Sequence, residues 1–155
     1  MMAATSSKNS PVVIIGGGFG GLTTALSLSI GKNRPPIVLI EPRERFVFLP
    51  LLYELLSGEL ELWEVAPPYS SLISSRGIIH IADKADNIDL EKEVVITSCG
   101  HEINYSQLVI STGSKSDSYG VEGISEHSFT FNQYEDVSKI KHLIKGLNSL
   151  SNKNL

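Results

Sequence analysis

Three glycines near the start of the chain have a spacing that could hold a phosphate group. Gly16, Gly18 and Gly21 fit the pattern G-x-G-x-x-G. In this pattern the first glycine permits a tight turn, the second lets a pyrophosphate approach the backbone, and the third lets a helix pack closely on a sheet. A helix that begins here presents N–H groups and about half a positive charge to the phosphates. The spacing therefore predicts a dinucleotide-binding site.

A carboxylate follows at the distance such a site requires. Glu41 stands twenty residues beyond Gly21, where an acidic side chain can accept hydrogen bonds from a ribose 2′-OH. A carboxylate also argues against a 2′-phosphate, which would need an arginine. Arg43 is close enough to keep that alternative open. The other interpretation is a glycine-rich turn beside a solvated glutamate.

The residues on either side predict the elements that position this site. Residues 11–15 (PVVII) and 37–40 (IVLI) are short apolar runs typical of strands buried on both faces of a parallel sheet. Residues 22–30 have partly helical apolar spacing, and Gly31 is the predicted helix C-cap. Together they predict a strand–helix–strand unit.

The rest of the chain departs from a simple alternation of strands and helices. An irregular apolar segment comes first, then a small antiparallel meander, then an amphipathic helix. The predicted elements in chain order are a helix over 51–56 ended by Gly58, a helix from Pro67-Pro68, an inner strand over 78–82, meander strands over 85–89, 93–97 and 101–103, a buried strand over 108–111 and a helix over 133–150. The predicted fold class is α/β, a Rossmann-like domain with a parallel sheet and a small antiparallel β-meander.

Composition excludes several classes of function. A length of 155 residues suits one domain, and a net charge of −4 gives no electrostatic case for nucleic acid. The four histidines lie too far apart for a metal site, and we predict neither a metal nor a catalytic side chain.

Cys99, the only cysteine, excludes a redox pair within the chain and is predicted at a surface turn. Apolar runs are too short for a membrane span, and residues 1–10 are predicted to be a flexible tail.

Residues 105–113 (YSQLVISTG) favour FAD over NAD as the dinucleotide. They resemble the second FAD-binding motif of flavoproteins with two dinucleotide-binding domains, with Ser106 and Ser111 in place of the usual Asp and Ala. The resemblance implies that Thr112 and Gly113, at the end of this strand, lie near the cofactor. The alternative is a generic buried strand followed by a glycine turn.

Residues 45–69 (RFVFLPLLYELLSGELELWEVAPPY) narrow the family. They resemble type II NAD(P)H:quinone oxidoreductases, in which a Phe-x-Pro-Leu-Leu-Tyr motif lies beside the flavin. Their continuation is most similar to the cyanobacterial and plant-plastid branch, which is associated with prenylated naphthoquinones such as demethylphylloquinone. The alternative for this segment is plain core packing.

The resemblance implies a reaction and a set of contacts. Hydride would pass from NAD(P)H through FAD to a prenylated quinone. Ala85 would give backbone contacts to the adenine, and Arg43 and Pro50 would lie near the cofactor. With Gly16, Gly18, Gly21, Glu41, Thr112 and Gly113, these are the predicted FAD-binding residues.

The resemblance also implies that parts of the enzyme lie outside the sequence. Residues 11–132 would form the N-terminal part of the FAD-binding domain, and the helix over 133–155 would lead into a missing NAD(P)H-binding domain. The chain alone is then expected to be inactive. Membrane contact would come only from a missing C-terminal part, with a cytoplasmic or peripheral membrane location, and a homodimer stays open. The alternatives are a truncated, non-catalytic FAD- or nucleotide-binding module, or another pyridine nucleotide-disulphide oxidoreductase-like flavoprotein that lacks the cysteine pair.

Overall fold

The computed structural model describes residues 10–151, with side chains described as far as residue 147. The predicted tail therefore lies outside the described residues except for Ser10. Within them the chain forms two compact units. The first comprises residues 10–46 and Pro68–Gly113, and the second comprises Val47–Pro67 and residues 114–151. The assignment of a domain to residues 11–132 stays a prediction.

The first unit contains a parallel sheet, a helical layer and an antiparallel sheet. Its elements are β1 (Val12–Ile15), α1 (Phe19–Leu28), β2 (Ile37–Ile40), α4 (Tyr69–Ile73), a 3-10 turn (Ser74–Arg76), β3 (Ile78–Ile81), β4 (Ala85–Asp89), β5 (Val94–Thr97), β6 (Glu102–Asn104) and β7 (Gln107–Ile110). The parallel sheet has the order β3-β2-β1-β7, and β4-β5-β6 form the antiparallel meander. The predicted α/β fold class is confirmed.

Both faces of the parallel sheet are covered, which explains the unbroken apolar strands at its centre. Val12 and Ile14 of β1 pack in a core cluster with residues of α1 and α4. Val13 and Ile15, which point to the opposite face, pack in a second cluster with residues of the meander. All eight residues of β1 and β2 are buried. The two central strands therefore fix the position of the loop that leaves β1.

The outer strands differ from the sequence prediction. β3, predicted as an inner strand, lies at one edge of the described sheet, and its Ile79 is 59% exposed. β7, predicted as buried, lies at the other edge and is only half-buried, with Ile110 64% exposed. Apolar composition does not distinguish these strands from central ones, because it does not report how many neighbours a strand has.

The first helix begins and ends earlier than predicted. It begins at Phe19 and ends at Leu28, and Ser29 occupies the C-cap position. The backbone N–H of Ser29 bonds to the carbonyls of Ala25 and Leu26. Gly31 is therefore not the C-cap; it lies in the following turn with a φ of +106°. The glycines that begin this helix are weak helix formers, which is why spacing alone placed its start at Leu22.

The second unit is mainly helical. It contains a 3-10 turn (Leu49–Leu51), α2 (Leu52–Ser57), α3 (Leu62–Val65), α5 (Ile124–His127) and α6 (Tyr134–Ser151). The predicted helix that ends at Gly58 is confirmed, with Gly58 in the left-handed conformation. Helix α3 was not predicted, because its single turn is too short to show periodicity. Its start is capped by Glu64, whose carboxylate accepts the N–H of Glu61 at 2.8 Å.

The predicted amphipathic helix is confirmed as α6. Val137 is 2% exposed and packs with Leu52, Leu55 and Val65 in the core of the second unit. Asp136 supports the start of α6, where its carboxylate accepts the N–H of Gln133 at 3.2 Å. Three apolar residues on the same helix are exposed instead: Leu143, Ile144 and Leu147. No helix among the described residues is long and apolar enough to cross a membrane.

Candidate functional site

The glycine loop connects the end of β1 to the start of α1, at the carboxyl edge of the parallel sheet. Gly16 has a φ of +95°, a conformation that favours glycine. A Cβ added to Gly16 would collide with the carbonyl oxygen of Ser111. Gly16 therefore provides both the turn and the close approach of the loop to the end of β7.

The other two glycines of the pattern, Gly18 and Gly21, differ in how closely they are packed. A Cβ added to Gly21 would collide with the carbonyl oxygen of Gly16 and lie 2.6 Å from the Ser111 hydroxyl, so this position holds the helix against the loop. A Cβ added to Gly18 would meet no atom within 4 Å. Packing within the protein explains Gly16 and Gly21 but not Gly18. Open space at the N-terminus of a ten-residue helix is what the approach of a phosphate requires.

Glu41, at the end of β2, is buried beside this loop with 3% of its surface exposed. Its Oε2 accepts the Gly17 N–H at 2.7 Å and Arg43 Nη2 at 3.0 Å. Its Oε1 accepts the Arg43 backbone N–H at 3.0 Å and Arg43 Nε at 2.7 Å. A carboxylate has about four acceptor positions. Protein donors occupy all of them, so a ribose hydroxyl would have to replace a donor of Arg43.

These contacts keep Glu41 ionised. Burial alone would raise its pKa, but the hydrogen bonds from Arg43 and from the Gly17 N–H outweigh burial and lower it. Glu41 thus holds a negative charge behind the loop, and Arg43 partly offsets it. Arg43 is itself 42% exposed along its side chain, so its guanidinium can reach solvent beside the loop.

Tyr69, which sequence analysis did not single out, lies behind the same loop. It is fully buried, and its hydroxyl donates to the Gly17 carbonyl at 2.7 Å. Burial and the nearby charge of Glu41 raise its pKa, so the hydroxyl keeps its proton. The ring of Tyr69 also packs against His80, with ring centroids 4.9 Å apart. Tyr69 is separated from Gly17 by 52 residues, so no local pattern could have shown the contact.

A cavity of about 380 Å³ lies at the carboxyl ends of β1 and β7, beside β4. It brings together two predicted site residues, Ala85 and Thr112. The pairing of β4 with β5 shifts register between Ala85 and Asn87, at the edge of this cavity. Asp86 and Asn87 also line the cavity and were not predicted. Gly113 follows in the left-handed conformation, with a φ of +70°.

The two serines that depart from the FAD-binding motif tie β7 to β1. Ser111 Oγ lies 2.9 Å from the carbonyl oxygens of both Ile15 and Gly16. Ser106 Oγ lies 3.2 Å from the Pro11 carbonyl, so the serine that replaces the usual Asp makes a hydrogen bond to the residue before β1. Two other residues were named from the sequence. Pro50 is in the 3-10 turn of the second unit, and Cys99 is exposed as predicted.

Comparison with known proteins identifies the family. Residues 10–151 match the family model described as pyridine nucleotide-disulphide oxidoreductase. The chain is 37% identical over 144 residues to demethylphylloquinone reductase NdbB of Synechocystis, covering 88% of this chain and 36% of that protein. It is 36% identical over 157 residues to the alternative NAD(P)H-ubiquinone oxidoreductase C1 of Arabidopsis thaliana, covering 90% of this chain and 30% of that protein. The predicted resemblance to quinone oxidoreductases of this branch is confirmed.

A solved structure is also similar. The sulfide:quinone oxidoreductase of Aquifex aeolicus superposes with a TM-score of 0.81 at 33% identity, covering 90% of this chain and 32% of that one. The chain thus spans about a third of the length of the proteins it matches. On the family match over 142 residues (10–151), the chain belongs to the pyridine nucleotide-disulphide oxidoreductase family.

Proposed function

We propose that this chain is the FAD-binding portion of a flavin-dependent NAD(P)H:quinone oxidoreductase. The observation that carries the proposal is the contrast between the glycines of one loop: Gly16 and Gly21 are closed in by backbone atoms, whereas Gly18 faces open space. Packing has no need of a glycine at Gly18. A pyrophosphate that approaches the helix N-terminus does need one.

The residues of the first unit fit the adenosine half of FAD. The loop at Gly18 would take the pyrophosphate, and Glu41 would take the ribose after exchange with an Arg43 donor. The cavity beside Ala85 and Thr112 would take the adenine; its volume of about 380 Å³ exceeds that of a purine ring. Gly113, next to Thr112, would let the chain turn close to the ligand. Arg43 and Pro50 are proposed to lie near the same cofactor.

The choice of FAD over NAD rests on how the chain continues after β2. The β-meander of β4, β5 and β6 covers one face of the parallel sheet, and β7 then returns beside β1. The chain's relatives, named as quinone reductases and NAD(P)H-ubiquinone oxidoreductases, are consistent with a flavin in this position. When bound, the flavin would supply the chemistry, hydride acceptance from NAD(P)H and electron transfer to a quinone. The chain's own residues bind and orient it.

The quinone, the NAD(P)H and any membrane contact belong to the proposed whole enzyme. Similarity to NdbB, named as a demethylphylloquinone reductase, favours a prenylated naphthoquinone as acceptor. Peripheral membrane attachment and a homodimer remain proposals for that enzyme. A protein that joins this chain to an NAD(P)H-binding part should be yellow as purified and oxidise NADH only when a naphthoquinone is supplied. A colourless protein after loading with FAD would contradict the proposal.

Sulfide oxidation is the second candidate, because the chain resembles the Aquifex sulfide:quinone oxidoreductase at 33% identity. Cys99 is the cysteine that this chain could offer to sulfur chemistry, and its surroundings make it a weak nucleophile. Cys99 lies in an exposed turn, and a hydrogen bond and the charge of Asp83 raise the pKa of its thiol. A raised pKa lowers the thiolate fraction that reacts. Quinone reduction supported by sulfide and not by NADH would favour this candidate.

A further inference from the structure

Two successive peptide groups of the glycine loop are held by side chains from outside the loop. The Gly17 N–H, in the Gly16–Gly17 peptide, donates to Glu41 at 2.7 Å. The Gly17 carbonyl, in the Gly17–Gly18 peptide, accepts from the Tyr69 hydroxyl at 2.7 Å. Both bonds are buried. The rotation of each peptide plane is therefore set by a group that does not belong to the loop.

The second of these planes carries the group that matters for a phosphate. In a planar trans peptide, the N–H points opposite to the carbonyl of the same unit. The hydroxyl of Tyr69 holds the Gly17 carbonyl, so the Gly18 N–H is directed away from Tyr69. Gly17 and Gly18 have no side chains, so only contacts with other residues limit the rotation of this peptide.

Tyr69 and Glu41 also leave no room for a side chain at Gly17. A Cβ added to Gly17 would collide with the Tyr69 hydroxyl and lie 2.8 Å from Glu41 Cγ. Gly17 is thus a glycine because Tyr69 and Glu41 close over it, and not because a ligand approaches it.

We propose that Tyr69 is a positioning residue of the phosphate-binding loop, whose hydroxyl orients the Gly17–Gly18 peptide so that the Gly18 N–H faces the pyrophosphate. The inference rests on the proposed dinucleotide site and extends it to a residue outside the glycine pattern. Tyr69 comes from α4, which follows the helical segment of the second unit in the chain. It acts through the loop and is not a contact of the ligand.

The test compares a ligand with phosphates and one without. ADP and adenosine are titrated into the 155-residue chain by NMR, and dissociation constants are taken from the amide shifts. Tyr69→Phe keeps the ring and removes the hydroxyl, so we expect about a five- to tenfold weaker affinity for ADP and an unchanged affinity for adenosine. Tyr134→Phe makes the same chemical change in a half-buried tyrosine that packs against the core cluster of the second unit. It should leave both affinities unchanged.

A second variant disturbs the contact between Tyr69 and Gly17 by a change in the loop itself. Gly17→Ala places a methyl group against the Tyr69 hydroxyl and close to Glu41 Cγ, so it should weaken the binding of ADP more than the binding of adenosine. It decides the question if Tyr69→Phe fails to fold by circular dichroism. Equal losses for ADP and adenosine, or no loss for ADP, would overturn the role of Tyr69 while leaving the dinucleotide site in place. Absence of ADP binding to the unsubstituted chain would overturn the site and the role together.

Discussion

The carboxylate of Glu41 accepts the backbone N–H of Gly17 at 2.7 Å, which joins the end of β2 to the loop that follows β1. The bond is buried, and Arg43 donates the other side-chain hydrogen bonds to the same carboxylate. Glu41 therefore has a structural part in addition to the ribose contact predicted from its position. Variants of Glu41 should affect both the stability of the domain and its affinity for a dinucleotide.

Glu41→Gln should destabilise the chain in a pH-dependent way. The folded state lowers the pKa of Glu41 below the ordinary 4.5. The ionised carboxylate therefore stabilises the fold above pH 4.5, and this stabilisation is lost as the pH falls through the pKa of Glu41 in the folded state. At neutral pH the amide NH2 of the glutamine would face the N–H of Gly17 or the guanidinium of Arg43. This clash of donors should cost about 1–3 kcal/mol of folding free energy. Urea unfolding should show this difference at pH 7 and a smaller one well below pH 4.5. An equal difference at both pH values would contradict an ionised Glu41.

Glu41→Ala addresses the ribose contact. Loss of a charged acceptor should weaken FAD binding by roughly ten- to a hundredfold, because a charged hydrogen bond is worth about 1.5–3 kcal/mol. Calorimetric titration of FAD into the folded variant measures the effect. Unchanged affinity would remove Glu41 from the binding site and leave it only its contacts with Gly17 and Arg43.

Gly21→Ala should destabilise the fold. Its Cβ would run into the Gly16 carbonyl, a backbone atom that cannot move aside without shifting the loop. Overpacking of this kind costs about 1–3 kcal/mol, measurable as a lower urea midpoint. Gly20→Ala is the matched control, since its Cβ meets only Ser111 Cβ at an ordinary 3.7 Å. Equal midpoints for the two variants would show that α1 does not pack on the loop as described.

Gly18→Val should abolish dinucleotide binding and leave the fold intact. The backbone at Gly18 has a φ of −64°, which any residue can adopt, and the space around its Cβ is open. Circular dichroism and urea unfolding should match the parent, whereas FAD titration should show no binding. Gly146→Val, at another position with open space around its Cβ, should bind FAD as the parent does. Full binding by Gly18→Val would mean that the loop is not the phosphate cradle.

The local part of the site could be predicted from sequence, and the long-range part could not. The glycine pattern, the carboxylate at Glu41 and the strand–helix–strand unit are encoded within about thirty residues, where turn chemistry and periodicity are direct signals. The contact of Tyr69 with Gly17 depends on how distant segments pack, and sequence spacing carries no trace of it. The hydrogen bonds from Arg43 to the Glu41 carboxylate were also missed, because two charged residues close in sequence can pair or point apart.

The strands show the same difference between local features, which the sequence predicts, and long-range features, which it does not. The β-meander was predicted because its strands are joined by tight turns, and the structure confirms it. The edge positions of β3 and β7 depend on the pairing order of the whole sheet, which single runs of apolar residues do not specify.

The 155-residue chain alone should not oxidise NADH. Hydride transfer needs the nicotinamide held against the flavin, and such positioning supplies about 7–11 kcal/mol of the barrier. G-x-G-x-x-G occurs once in the sequence, and that loop is assigned to FAD. The chain with FAD and a soluble naphthoquinone should match the rate of free FAD. Saturable turnover well above that control would mean that the chain binds both dinucleotides.

The central claim is that the loop around Gly18 binds the pyrophosphate of FAD. The most direct measurement is a calorimetric titration of the purified chain with FAD, FMN and NADH under one set of conditions. FMN lacks the adenosine and one phosphate, and NADH has the adenosine and pyrophosphate but no flavin. We predict that FAD binds with one-to-one stoichiometry, that NADH binds at least tenfold more weakly, and that FMN does not bind. Binding of FMN as tight as that of FAD, or of NADH tighter than FAD, would contradict the assignment.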